Sequence, residues 1–246
     1  MTNFRDLPSE LRNRIYQLCL LEQEPIDPYS HWSPREGLTP GLLRVNKTVH
    51  REASPLFYAH NRFDFTLATP EQVASFLGTI GSNNANYIQH IHVDFPIFRD
   101  LESGNITLEE GSMGVFANIQ NICTNLSTLT THVYSTNDTV MKLDALDDPK
   151  IATEALTLVN TRFRAILSLR DINVEVYKYG PSEDIKSKME NLGWTVSATF
   201  VEEWDPAGRS FSDDADDWDR DYGYDDDDND SYDIDNDSDF WRRAGD

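Results

Sequence analysis

The chain has 246 residues, with 43 Asp or Glu against 21 Lys or Arg, so its formal net charge at neutral pH is -22. Hydrophobic residues make up 39% of it, which allows one domain of ordinary size with a packed core and excludes a wholly disordered chain. The acidity argues against nucleic-acid binding, because phosphate contacts need a basic face.

The first 62 residues predict a helical module. After Pro8, apolar residues at helical spacing mark one helix face: Leu11, Ile15, Leu18 and Cys19. Arg12 should point away from that face. Prolines and a glycine within residues 23–38 predict a loop, and a second helix should start at Thr39-Pro40. Pro55 should interrupt that second helix and start a new short turn.

Strand and helix patterns alternate from residue 63 to residue 204. Alternating apolar residues predict strands at 63–67, 91–95, 129–133, 172–176 and 194–200. Helices are predicted after the capping sequence Thr69–Gln72, over 115–123 and 150–169, and from Ser182 to a stop at Gly193. This order favours an α/β fold with a largely parallel sheet. The sheet is either a single curved one or an irregular leucine-rich-repeat-like arc, and the uneven strand spacing argues against a true repeat.

The last segment, residues 205–246, is far more acidic than the rest. It holds 17 Asp and 4 Arg, a net charge of -13, with tyrosines, tryptophans and phenylalanines between the acids. Mutual repulsion and the scarcity of aliphatic residues predict a tail that is disordered when free. It either only solvates the chain, binds a basic protein such as a histone, or folds over a basic part of the body.

Two sequence blocks near the N-terminus carry a family resemblance. The first runs from Phe4 to Tyr16 (FRDLPSELRNRIY), and the second from Leu42 to Ala53 (LLRVNKTVHREA), followed by Leu56-Phe57-Tyr58 and Asn61-Arg62-Phe63. Together they resemble the opening of the F-box-like proteins of filamentous ascomycete fungi. The resemblance covers residues 4–65.

The resemblance implies an F-box-like module over residues 1–62, a body over 63–204 packed on it as one unit, and a substrate-receptor role in a Skp-cullin type ubiquitin ligase. Four residues would face the Skp-type adaptor: Leu7, Pro8, Leu11 and Ile15. The body would bind an unknown protein cargo. The alternative is that these apolar residues pack within the chain, since a helical apolar stripe commonly faces a core.

Three further features of the sequence could form a binding site. Arg44, Lys47 and Arg51 are spaced to share one face of the second helix, as a solvated face or as a docking face for the tail or a partner. His90 and His92 share one side of a predicted strand and could bind a metal, but without a third ligand they predict a polar sheet face. The stretch from Gly111 to Gly114 could form an anion nest, yet it lacks the P-loop lysine and predicts only a helix start.

The sequence therefore predicts a binding protein without catalytic residues, metal or cofactor. The alternative function is an acidic-tailed binding or chaperone-like protein for basic partners such as histones. No apolar stretch is long enough to span a membrane and no secretory signal is recognisable, so we expect no membrane partner and residence in the cytoplasm, the nucleus or both.

Overall fold

Five parallel strands form the central sheet of the computed structural model, which describes residues 4–29 and 38–199. The strands of this sheet are β1 (Arg62–Asp64), β2 (His90–Val93), β5 (Thr128–Thr131), β6 (Asp171–Tyr177) and β7 (Thr195–Thr199). Their spatial order is β1-β2-β5-β6-β7, and every neighbouring pair is parallel. The predicted α/β fold with a parallel sheet is confirmed.

The two faces of this sheet differ in polarity. On one face the side chains are apolar and buried, as those of Phe63, Ile91, Leu129 and Val174 are. The alternate residues project from the other face and are mostly polar and only half-buried, which gives β6 its regular alternation of burial. Strands that follow one another in space as they do in the chain place their right-handed crossovers on one side. The helices therefore cover the apolar face.

Five helices follow the strands along the chain. They are α3 (Pro70–Ala85), α4 (Glu110–Ile122), α5 (Val133–Asp144), α6 (Pro149–Arg164) and α7 (Glu183–Asn191). The predicted capping box is present at α3, where Thr69 Oγ1 accepts from Gln72 N and Gln72 Oε1 accepts from Thr69 N. Ser182 caps α7, and Gly193 follows that helix at a φ of 79° that favours glycine.

Two elements of the body were not predicted from the sequence. One is the helix α5, and the other is an antiparallel hairpin of β3 (Phe98–Glu102) and β4 (Asn105–Leu108), which packs against α6. Among the residues that the structure describes, no helix is long and apolar enough to cross a membrane.

The N-terminal region consists of two α-helices, each preceded by a short 3-10 helix. The elements are a 3-10 helix at Phe4–Asp6, α1 (Ser9–Leu20), a 3-10 helix at Pro40–Arg44 and α2 (Lys47–His60). The α-helix thus begins after Asn46, whose side chain caps it by accepting from the amides of Thr48 and Val49 at 3.0 Å. The predicted start at Thr39-Pro40 is instead the start of the 3-10 helix.

The predicted break at Pro55 is wrong, because α2 continues through this residue to His60. A proline costs a helix one backbone hydrogen bond and a steric adjustment. Packing on both sides of it offsets that cost, since Val49, Ala53, Phe57 and Tyr58 are all buried.

The buried side of α1 is not the one that the apolar spacing marks. Its buried residues are Tyr16 and Leu20, whereas Leu11 and Leu18 are exposed and Ile15 is half-buried. The predictions for residues 30–37 of the loop, and for the tail at 205–246, lie outside the described residues.

Candidate protein-binding surfaces

An apolar stripe lies on the outer side of α1. Leu11 is 53% exposed and Leu18 is 69% exposed, and they flank the half-buried Ile15. Before the helix, Pro8 is exposed and Leu7 is half-buried. We call these five residues the α1 stripe. It contains all four residues that the sequence analysis assigned to adaptor binding.

Arg12 fixes the geometry beneath this stripe. Its guanidinium donates two hydrogen bonds to the Glu52 carboxylate of α2, from Nε at 2.9 Å and from Nη2 at 2.8 Å. Its Nη1 donates to the Leu7 carbonyl at 2.6 Å, and Tyr16 donates to the same Glu52 at 3.0 Å. Paired hydrogen bonds between arginine and carboxylate hold both groups in one orientation. Arg12 therefore ties the turn at Leu7 and the helix α1 to α2.

Arg12 and Glu52 each favour the charged form of the other. The hydrogen bond from Arg12 is the main reason that the pKa of Glu52 lies below its ordinary value. The same bond raises the pKa of Arg12, while burial is the main reason for the raised pKa of Tyr16. From the sequence, Arg12 was predicted only to point away from the apolar face of the first helix, and Glu52 was given no role.

Asn61 joins the other ends of the same two helices. Its buried side-chain amide donates to the Leu20 carbonyl at 2.7 Å and to the Phe57 carbonyl at 2.9 Å, and its Oδ1 accepts from Glu22 N at 2.8 Å. A buried amide that satisfies three backbone groups cannot be replaced by an apolar residue without cost. Arg12 and Asn61 thus hold α1 against α2 near the two ends of α1.

The three cations predicted to share one helix face are exposed but lie on two different elements. Arg44 ends the second 3-10 helix, whereas Lys47 and Arg51 lie four residues apart on α2. Asn46, in an extended conformation with a φ of -167°, separates the two elements. The predicted single-helix face is therefore wrong for Arg44, because the capping residue ends the continuous helical spacing.

The half-buried side of the central sheet carries polar side chains in rows that cross the strands. One row consists of Arg62, His90, Thr128 and Asp171, and the next consists of Asp64, His92, Thr130, Asn173 and Thr195. Further along β6, Glu175 and Tyr177 project from the same side. We call this surface the polar sheet face. It agrees with the polar surface that the sequence predicted for His90 and His92.

The ionisable groups of the polar sheet face are close enough to influence one another. Burial lowers the pKa of His90 and of His92, so each favours its neutral form more than a free histidine does. Burial raises the pKa of Glu175, although the neighbouring His132 and Arg62 act in the opposite direction. Within residues 4–29 and 38–199, no group of three or more His, Cys, Asp or Glu is arranged to hold a metal ion.

An aromatic group lies at the carboxyl end of the strands. It includes Tyr177, two residues beyond Glu175 on β6, and His132, which acts electrostatically on Glu175. The ring of Tyr134 lies 5.5 Å from that of Tyr177 and 5.3 Å from that of His132. Desolvation, with a side-chain hydrogen bond to Tyr134, raises the pKa of Tyr177 to about 12. Tyr134 nevertheless remains 63% exposed. We call His132, Tyr134, Glu175 and Tyr177 the Tyr134 cluster. It was not predictable from the sequence pattern, because Tyr134 lies on α5, a helix that the pattern did not predict.

The stretch from Gly111 to Gly114 serves packing between helices. A Cβ atom on Gly114 would lie 2.8 Å from Pro70 Cγ and 2.9 Å from Pro70 Cβ, so glycine lets α4 approach the start of α3. Ser112 Oγ accepts a hydrogen bond from Ile97 N at 3.2 Å. The four residues lie at the start of α4, as the sequence predicted.

Comparisons with protein-family models, with curated proteins and with solved structures find no significant match to this chain. The surfaces described above and the two N-terminal sequence blocks are therefore the features from which a function can be inferred.

Proposed function

We propose that this chain is a protein-protein interaction module without catalytic activity, and that it acts as a substrate receptor of a Skp-cullin type ubiquitin ligase. In this proposal residues 1–62 form an F-box-like module, and Leu7, Pro8, Leu11 and Ile15 dock on the Skp-type adaptor. The observation that carries the proposal is that Pro8, Leu11 and Leu18 of the α1 stripe are exposed and that Leu7 and Ile15 are only half-buried, whereas a purely internal role would have buried these side chains.

The α1 stripe has the properties of a docking surface. Single exposed apolar residues are ordinary, but a contiguous row on one helix is typical of interaction sites. Arg12 and Glu52 hold the stripe in one orientation against α2. A surface that is ordered before binding loses less conformational entropy when a partner docks.

The body would supply the cargo-binding side of such a receptor. Its strands follow one another in chain order, and its polar sheet face is separate from the apolar face that the helices cover. This order supports the interpretation of the body as an irregular leucine-rich-repeat-like arc, in which the open face of the sheet binds the partner.

Capture of the full chain by a purified Skp-type adaptor tests the proposal. We expect Leu11→Asp to abolish capture, because a carboxylate in the centre of an apolar interface would lose its hydration without a partner. The matched control is Leu167→Asp, since Leu167 is 98% exposed and lies outside the α1 stripe. Equal capture of the two variants, or no capture of the wild-type chain, would contradict the proposal.

A second candidate function rests on the acidic segment at residues 205–246. Its net charge of -13 favours binding to basic partners such as histones. Because exposed charges are screened over about 8 Å at physiological salt, binding through this segment should weaken steeply as salt is raised. Binding of histones that does not respond to salt would count against this candidate.

A further inference from the structure

We propose that the polar sheet face binds an extended, lysine- or arginine-rich segment of a partner protein, with one cationic side chain seated in the Tyr134 cluster. As a statement about ligase cargo this rests on the proposed function, but the binding itself requires no adaptor.

Charge complementarity identifies a cationic occupant. Three carboxylates project from the polar sheet face, those of Asp64, Asp171 and Glu175, while its single arginine, Arg62, lies on the outermost strand β1. Burial favours the neutral form of His90 and of His92. The face is therefore acidic at neutral pH, and it favours a basic segment over an acidic one.

Glu175 marks the position on the polar sheet face where a cation of the partner would bind. Burial disfavours its negative charge, and within the described residues its carboxylate has no hydrogen-bond donor. A desolvated carboxylate of this kind is an unfavourable feature that a cation from a partner would relieve. Functional sites commonly retain such unfavourable groups at some cost in stability.

The aromatic rings of the Tyr134 cluster, whose His132 acts electrostatically on Glu175, complete a site for a cation. The Tyr134 ring is exposed while its edge-to-face contact with Tyr177 holds it in place. An ammonium or guanidinium group over a tyrosine face gains a cation–π interaction, which adds to the attraction of a nearby carboxylate. Aromatic residues next to acids are thus suited to lysine or arginine.

The width of the polar sheet face determines how long a peptide is needed to test this proposal. Five strands about 4.8 Å apart span about 19 Å, a distance that an extended peptide covers with about six residues. A fluorescein-labelled peptide of about eight residues with alternating lysine and glycine is therefore long enough. Its affinity for the full chain can be measured by fluorescence anisotropy.

Matched double variants separate the sheet from the acidic tail. We expect Tyr134→Ala/Glu175→Gln to weaken peptide binding by about tenfold or more. The control Tyr179→Ala/Asp226→Asn also removes one ring and one carboxylate. It leaves the cluster intact, because Tyr179 is 89% exposed outside the cluster and Asp226 belongs to the tail. It should change binding by less than about twofold. Equal losses in the two variants, or no peptide binding at all, would overturn the proposal.

Two further measurements keep the test independent of folding and of the adaptor. Hydroxyl-radical labelling of Tyr134 in the wild-type chain should fall when the peptide is added, while that of Tyr179 should not; an unchanged Tyr134 would overturn the proposal. The adaptor should still capture the Tyr134→Ala/Glu175→Gln variant. Loss of peptide binding and loss of adaptor binding are therefore observed separately.

Discussion

Arg12 and Glu52 show how single residues determine which side of α1 remains available. Their paired hydrogen bonds, together with the bond from Tyr16, occupy the side that faces α2. The apolar spacing in the sequence identified Leu11 and Ile15 but could not tell whether α2 would cover them. The deciding interaction joins residues that lie 40 positions apart, and helical spacing carries no information about such pairs.

The first prediction concerns the acid sensitivity of this cluster. The pKa of Glu52 is lower in the folded chain than its ordinary value of 4.5. The folded state therefore binds fewer protons than the unfolded state below about pH 4.5, so the contribution of Glu52 to stability is complete above that pH and is lost as the pH falls through the lowered pKa. We expect Glu52→Gln to lower stability at neutral pH and to flatten its dependence on pH below about 4.5.

Urea unfolding at a series of pH values would measure this effect. The matched control is Glu154→Gln on an exposed position of α6, which should keep the wild-type slope. A Glu52→Gln variant with an unchanged slope would show that the pair with Arg12 contributes nothing to stability.

Among the helices, some were predictable from the sequence and others were not, for a second reason. The helices α3 and α7 carry capping residues that specify their starts, and both starts were predicted. In α5, by contrast, Thr136 and Thr139 occupy buried positions beside Val133, Val140 and Leu143. Thr131 and Thr136 satisfy each other by a hydrogen bond at 2.9 Å. Polar residues at core positions hide the apolar period on which the prediction depended.

The second prediction tests the contact between α3 and α4. Gly114→Val would place its side chain against the Pro70 ring, where even a Cβ atom would lie at 2.8 Å. Overpacking of this kind costs about 1–3 kcal/mol, and we expect the free energy of unfolding to fall by that amount. Gly111→Val is the matched control, because a Cβ atom there meets nothing within 4 Å. Equal stabilities of the two variants would contradict the role of Gly114.

For the molecule as a whole, the sequence predicted the α/β class and the parallel sheet because strand and helix patterns alternate along the body. It did not predict that one sheet face carries all the polar rows, since the alternation within one strand does not determine which strands lie beside it or in what register. Arg62 and Asp64 lie on β1 and Glu175 lies on β6, and only the parallel register brings these two separated segments of the chain onto one surface. Their electrostatic influence on one another follows from that register.

The third prediction concerns how pH changes binding to this surface. Its charged and titratable groups are Arg62, Asp64, His90, His92, His132, Asp171, Glu175 and Tyr177, and the neighbouring His60 and Glu24 act on His90 and His92 respectively. Burial lowers the pKa of His90 and of His92 from 6.5 and raises that of Glu175 from 4.5, so as the pH falls from neutral Glu175 takes up a proton earlier than an ordinary glutamate does. Each proton makes the surface less acidic, and binding of the lysine-glycine peptide should weaken as the pH falls below neutral.

The acidic tail should respond differently, because ordinary aspartates keep their charge until the pH approaches about 3.9. Anisotropy titrations at about pH 7 and about pH 5 would therefore show a large loss of affinity for the wild-type chain. The Tyr134→Ala/Glu175→Gln variant, whose remaining binding would come from the tail, should show a much smaller loss. Stability is the wrong readout here, since protonation of the histidines lowers it and protonation of Glu175 raises it. Binding that is equally strong at both pH values would place the basic segment on the tail rather than on the polar sheet face.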